Sequence, residues 1–202
     1  MRLGILGGSF DPIHYAHLLM AECCRESHEL DEVWFMPAFL APHKQDRPAI
    51  DARHRIEMLN LAIGGHDAFR LSTLELDRGG VSYTAETLRQ IVASQPEAKL
   101  FFIMGADSLS ELPNWREPDQ ICQSATPVVV ARPDWPEPDF SPLNEIVGKQ
   151  RRIEIEGYLT LMPLMQFSSG SIRERVRAGA SIRYRVPRAV EKYIEAQRLY
   201  QS

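Results

Sequence analysis

Two stretches of the 202-residue chain bring together residue types that can handle an anion. The first is Gly7-Gly8-Ser9-Phe10-Asp11-Pro12-Ile13-His14-Tyr15-Ala16-His17. Glycines let backbone N–H groups approach a ligand closely, and a helix starting behind the loop turns its positive end to the same place, which suits phosphate. His14 and His17 lie at i and i+3, so both imidazoles share one face of that helix's first turn. The second stretch is Phe167-Ser168-Ser169-Gly170-Ser171-Ile172-Arg173. Its hydroxyls and the N–H groups of a helix start suit another phosphate, and Arg173 adds a planar, two-pronged cation. Plainer accounts stand beside these. Gly-Gly marks an ordinary turn, a histidine pair is half of a zinc site, and Ser171 with Glu174 has the spacing of a helix capping box. Zinc needs further ligands, and no Cys-x-x-Cys or Glu-bearing zinc motif accompanies the pair.

The elements around these stretches follow from hydrophobic periodicity. Arg2–Leu6, Val33–Pro37, Phe69–Leu76, Lys99–Met104, Pro127–Ala131 and Tyr158–Met162 read as strands, several of them continuous apolar runs of the kind buried on both faces. Helices are expected over Tyr15–Leu30, from a cap at Asp51 to Ile63, over Tyr83–Ser94, from Ser171 to Ala178, and from a first-turn Pro187 to Leu199. Strands alternating with helices imply an α/β fold: a Rossmann-like, doubly wound, mostly parallel sheet with helices on both faces. Ligands in such sheets sit at the carboxyl ends of the strands, near a topological switch point. The loops after Leu6, Pro37, Leu76, Met104, Ala131 and Met162 are therefore where chemistry is expected. No linker divides the chain, so residues 1–202 are read as one domain whose helical part from about 165 completes the site.

Composition narrows the classes of function. The chain is 44% hydrophobic and 25% charged, the profile of a soluble globular protein. A net charge of −4 argues against a broad electrostatic grip on nucleic acid. No uncharged apolar stretch reaches the ~18 residues of a membrane span, and the opening apolar run breaks too early for a signal peptide. Of the three cysteines, Cys23 and Cys24 are adjacent, which fits reduced thiols in the cytoplasm better than a disulfide.

Gly7 to Leu18 resembles the first signature of the nucleotidyltransferase superfamily that adenylylates small phosphorylated substrates, a Gly-rich loop followed by His-x-Gly-His. Ala16 stands where that family has glycine, a change of one methyl. Phe167 to Arg173 resembles the superfamily's second signature, with Gly170 in place of the usual threonine. Other segments are similar to those of the nicotinate mononucleotide adenylyltransferases, and the resemblance then covers essentially the whole chain. It implies an ATP site formed by Gly7, Gly8, Ser9, Phe10, His17, Gly105, Asp107, Arg132, Ser168, Ser169 and Arg173. It further implies a nicotinate mononucleotide site formed by Ser9, His43, Lys44, Tyr83, Thr84 and Trp115. His14, His17, Lys44 and Arg173 are the residues expected to act on the reacting phosphates. Asp107 is expected on ribose hydroxyls, Arg132 on the adenosine side, and Trp115 against the pyridine ring, although a tryptophan so placed also serves as a core anchor. N–H groups at the helix start after Tyr83 favour a carboxylate and have nothing to offer an amide NH₂.

The reaction so implied is adenylyl transfer from ATP to nicotinate mononucleotide, a step of NAD biosynthesis. Magnesium is expected on the ATP phosphates and no metal site of the protein's own is expected. Partners are small molecules, with no nucleic acid and no membrane; a homo-oligomer is left open. The alternatives are the same transfer to nicotinamide mononucleotide or a phosphopantetheine, and a non-catalytic nucleotide-binding regulator. His28, His54 and His66 read as solvated helix-end residues, Arg151-Arg152 as a surface face, and Arg183, Arg185 and Arg188 as lying outside the phosphate site.

Overall fold

In the computed structural model, which describes residues 1–42, 49–131 and 136–201, the strands are β1 (Arg2–Gly8), β2 (Glu32–Pro37), β3 (Phe69–Leu71), β4 (Lys99–Gly105), β5 (Thr126–Ala131) and β6 (Leu159–Leu161). They pair in the order β3-β2-β1-β4-β5-β6, parallel at every ladder. The order reverses direction between β1 and β4, which are paired from Arg2↔Lys99 to Leu6↔Ile103. That boundary is the switch point at which a doubly wound sheet binds ligands. The loops that leave Gly8 and Gly105 flank it.

The helices are α1 (Tyr15–Ser27), α2 (Ala52–Ile63), α3 (Leu74–Arg78), α4 (Thr84–Ser94), α5 (Ala106–Glu111), α6 (Pro118–Ser124), α7 (Leu143–Glu156), α8 (Ser169–Arg177) and α9 (Arg188–Ala196). Alternation along the strands sorts them into two layers. Phe101 and Ile103 of β4 point into a core shared with Ala21 and Cys24 of α1, Met58 of α2, Ile172 of α8 and Val190 of α9. Leu100, Phe102 and Met104 enter the opposite core with Leu88 of α4, Leu109 of α5, Ile121 of α6 and Ile155 of α7. The central strands β1, β4 and β5 are thus buried on both faces over most of their length, which is why they read as apolar runs, while the edge strands β3 and β6 each leave a residue exposed.

The structure differs from the sequence expectation at several points. β1 continues through Gly7 and Gly8, which pair with Met36 and Pro37, so the glycines end the strand and the loop begins at Ser9. The Phe69–Leu76 strand stops at Leu71, and α3 follows, its Thr73 hydroxyl donating to Asp77 at 2.7 Å and Gly79 ending it at φ 70. α5, α6 and α7 lie in segments without a clear helical pattern; α5 and α6 are short, and α7 is broken at Gly148 (φ 76). Pro187 caps α9 and does not occupy its first turn. The cap of α8 is Ser168, whose Oγ accepts from the Ser171 N–H at 3.1 Å, one turn earlier than the Ser171–Glu174 pair.

Candidate active site

After Gly8 the chain turns through Phe10, whose φ of 46 lies in the left-handed region that glycine normally fills. Such a residue costs roughly 1–3 kcal/mol and persists only where packing holds it. Phe10 is fully buried, edge-on to His17 at 5.1 Å and tilted against Phe35 at 5.8 Å. A Cβ on Gly8 would come within 3.2 Å of the Phe10 ring, so Gly8 is glycine for close approach, while a Cβ on Gly7 would meet open space.

α1 begins directly behind this turn, with His14 as its N-cap residue. The His14 and His17 rings stack with centroids 3.7 Å apart and planes 22° from parallel. The His14 N–H donates to His17 Nδ1 at 3.3 Å. Nδ1 must then be unprotonated, so the neutral ring carries its proton on Nε2 and is a donor there. Nδ1 of His14 is buried without a hydrogen-bond partner among the described residues. A buried polar atom of this kind asks for an explanation, and a ligand supplies one.

Burial, at 4% exposure, pushes the His14 pKa from 6.5 down to about 4. Its proton is taken up by the unfolded chain first, so His14 contributes stability that is complete above pH 6.5 and lost as pH falls through about 4. Across that window the unfolding free energy is expected to drop by about 3 kcal/mol more for the wild type than for His14→Asn. Urea titrations at pH 6.5, 5.5 and 4 check this; parallel pH profiles for the two proteins would show that His14 is not the buried neutral group described.

The second signature is brought against the first from 157 residues away, the Ser169 hydroxyl donating to the Pro12 carbonyl at 2.9 Å. One turn on, Arg173 Nη1 donates to the Asp11 carbonyl at 2.6 Å. The N-terminal ends of α1 and α8 therefore lie beside the same loop, one with imidazoles and the other with hydroxyls and a guanidinium. A Cβ on Gly170 would stand 3.8 Å from Ser168 Oγ, an ordinary contact, so the glycine there is not forced by space. Ala16 is buried in the first turn of α1.

A residue that sequence reasoning missed ties the surrounding loops together. Arg55 of α2 is 2% exposed, its Nε donating to Ile50 O at 3.2 Å and its Nη1 to Ser9 O at 3.0 Å and Ala38 O at 2.7 Å. The loop after β1 and the loop after β2 are thereby fixed to one side chain. Beyond Ala38 the chain is held from the other direction: the Phe39 N–H donates to Ser82 Oγ, and the Ser82 N–H to Leu40 O, both at 2.9 Å. His43 and Lys44 follow in sequence and lie outside the described residues, as does Arg132 after β5.

Tyr83 caps α4 and Thr84 is its first residue. The Arg116 guanidinium lies over the Tyr83 ring at 4.6 Å, and Arg89 of α4 pairs with Glu117 at 2.6 Å, so the segment carrying Trp115 is moored beside the start of α4. Trp115 itself is half-buried and edge-on to Phe102 at 6.1 Å. Gly105 caps α5, and Asp107 is exposed in the first turn of that helix, the end where a carboxylate is favoured.

The residues read as solvated are held more firmly than that. His28 is hydrogen-bonded to Thr160 Oγ1 at 2.7 Å, His54 to Tyr193 Oη at 2.9 Å, and His66 to Glu22 at 3.0 Å. Arg151 reaches Cys122 O and Thr126 Oγ1, both at 3.1 Å, and so joins α7 to the sheet. Arg183 and Arg188 face Glu191, and Arg185 lies over Phe167 at 5.3 Å.

Among the described residues no three His, Cys, Asp or Glu side chains group as metal ligands, and no helix is long and apolar enough to cross a membrane. Residues 5–175 match the model of the cytidylyltransferase-like family. The chain is 43% identical over 199 residues to a probable nicotinate-nucleotide adenylyltransferase of Geobacillus kaustophilus, covering 98% of this chain and 86% of the relative. It is 41% identical to one of Thermomicrobium roseum, covering 100% and 92%. The fold superimposes on Plasmodium falciparum nicotinic acid mononucleotide adenylyltransferase complexed with NaAD at a TM-score of 0.74 and 18% identity, covering 98% of this chain and 97% of that one.

Proposed function

The chain belongs to the cytidylyltransferase-like family, among its nicotinate-nucleotide adenylyltransferases, and on that premise we propose how it performs the transfer. It is an enzyme of NAD biosynthesis that moves the adenylyl group of ATP to nicotinate mononucleotide. A 5′-phosphate oxygen of the mononucleotide forms a bond to the α-phosphorus of ATP. The bond from that phosphorus to the bridging oxygen breaks, and pyrophosphate leaves with the electron pair. The attacking oxygen is already anionic, so no nucleophile from the protein is required. The work of the site is alignment and neutralisation of charge.

The observation that carries this reading is the docking of α8 on the loop after β1, with Ser169 on Pro12 and Arg173 on Asp11, beside the stacked His14 and His17. Two anion seats converge at the carboxyl end of β1, next to the switch point. His17 and Arg173 hold the α- and β/γ-phosphates, and His14 and Lys44 fix both substrates in line. Gly7, Gly8, Ser9, Phe10, Ser168 and Ser169 complete the phosphate cradle. Gly105, Asp107 and Arg132 take the adenosine, and His43, Tyr83, Thr84 and Trp115 take the acceptor. The chain acts as one nucleotidyltransferase domain, in the cytoplasm; Cys23, Cys24 and Cys122 are unbridged. The donors at the site are imidazole, guanidinium and hydroxyl, which suit phosphate oxygens and not a hard divalent cation. Magnesium therefore belongs to the substrate, as magnesium-ATP.

The acceptor preference tests the proposal. Pyrophosphate release is measured with magnesium-ATP and, separately, nicotinate mononucleotide, nicotinamide mononucleotide and 4′-phosphopantetheine. Turnover is expected to favour the acid strongly, since a site built of donors rejects an analogue that leaves them unpaired by up to ~10⁴. Comparable turnover with the amide would overturn the roles given to Tyr83, Thr84 and Trp115. ATP binding without turnover on any acceptor would favour a regulator.

A further inference from the structure

The penultimate described turn of the chain reaches back to the phosphate site. After α9, Arg198 and Tyr200 adopt φ values of 52 and 63, which fold the tail onto the body, and the Leu199 N–H bonds to Ile194 O at 3.1 Å. Leu199 and Tyr200 pack on the core of the α1, α2, α8 and α9 layer. The Tyr200 hydroxyl donates to Asp11 Oδ1 at 2.6 Å, across 189 residues. Asp11 is 7% exposed, and its Oδ2 stands 3.9 Å from Arg173 Nη1, which is bonded to the Asp11 carbonyl. Burial pulls the Arg55 pKa down, and the nearby charge of Asp11 opposes that shift. The Asp11 carboxylate is therefore met by the Tyr200 hydroxyl at Oδ1 and faced by Arg173 at Oδ2.

We infer that Tyr200 is a positioning residue for adenylyl transfer: by occupying one oxygen of Asp11 it keeps that carboxylate from closing on Arg173, so the guanidinium stays available to the triphosphate. The physical basis is the geometry of the pair. Arginine and carboxylate prefer a bidentate arrangement at about 2.8 Å, and here the closest approach of the charged groups is 3.9 Å. A carboxylate held by a hydroxyl on one oxygen does not rotate to offer both oxygens to the guanidinium without giving up that bond. Without the hydroxyl it can, and a guanidinium already neutralised by Asp11 is a weaker ligand for phosphate. The availability of Arg173 to phosphate is then set by Tyr200.

This inference rests on Arg173 holding ATP phosphates, and the test separates the two. Steady-state kinetics are run for wild type, Tyr200→Phe, Arg173→Ala and the double variant, with Tm measured for each. Tyr200→Phe keeps the ring and removes only the hydroxyl. It is expected to raise KM for ATP roughly tenfold, the size of one hydrogen bond to a charged group, while KM for nicotinate mononucleotide stays within about twofold. In the Arg173→Ala background the same change is expected to add nothing. An unchanged KM for ATP in Tyr200→Phe, or effects that multiply in the double variant, would overturn the inference and leave the role of Arg173 standing. An Arg173→Ala enzyme with wild-type kinetics would overturn both. Should Tyr200→Phe fold poorly, Asp11→Asn alone gives the second route: it removes the charge that Tyr200 holds off Arg173, so KM for ATP is expected to stay within about twofold of wild type or fall, and a tenfold rise would overturn the inference.

Discussion

His17→Ala is expected to lower turnover roughly 10²–10³-fold, the cost of losing one donor aimed at charge that develops in the transition state. The ring is in place before substrate arrives: it stacks on His14 at 3.7 Å, stands edge-on to Phe10 at 5.1 Å, and accepts the His14 N–H on Nδ1. With Nδ1 committed as an acceptor, the ring carries its proton on Nε2, the donor that would meet a phosphate oxygen. Alanine removes that donor and the Nδ1 acceptor together. The second loss touches only the helix cap and is expected to cost about 1 kcal/mol of stability. Pyrophosphate release at saturating substrate, alongside a thermal melt, distinguishes the effects. A turnover within a factor of three of wild type would remove His17 from the reaction.

Arg55→Met is the second large effect, and it arises away from the reacting atoms. The guanidinium satisfies three main-chain carbonyls, those of Ser9, Ala38 and Ile50, from a buried position. Each carbonyl stranded without a donor costs roughly 1–3 kcal/mol, and such losses are not additive. Methionine fills much of the volume and supplies no donor, so destabilisation of roughly 3–5 kcal/mol and a fall in Tm on the order of 10 °C are expected. Because Ser9 and Ala38 belong to the loops after β1 and β2, the fall in kcat/KM is expected to reach about 10²-fold, the effect of a small misplacement at an alignment-driven site. Lysine should recover little, since one ammonium does not reproduce the fork of Nε and Nη1. Urea denaturation and kinetics with both substrates varied check the prediction, and an Arg55→Met protein of wild-type stability would refute it.

Much of the fold was legible because it is written in neighbouring residues. Buried parallel strands read as apolar runs, Asp51 announces α2 and accepts from the Arg53 N–H at 2.9 Å, and the alternation of strand and helix dictates the winding. The segments that escaped are those where local pattern is weak. α3 is five residues long, α5 six, and α7 is interrupted by a left-handed Gly148, so none presents the repeated apolar spacing that marks a helix. Gly7 and Gly8 read as part of the loop after the first strand, yet ladder pairing with β2 keeps them in strand, and the strained position is passed to Phe10.

At the site the division is sharper. The histidine pair and the serine-rich helix start were identifiable from residue type and spacing, because an anion seat at a helix N-terminus is a local device. That the two seats lie beside one loop depends on a Ser169–Pro12 contact spanning 157 residues, which only the folded chain creates. The charge state of His14, the anchoring role of Arg55, and the Tyr200–Asp11 bond belong to the tertiary structure alone. Each depends on burial and on partners brought in by other elements, and neither is encoded in the few residues on either side. Sequence determined which atoms are present at the ends of the strands; packing decided which of them are dry, which are paired, and which remain available to bind.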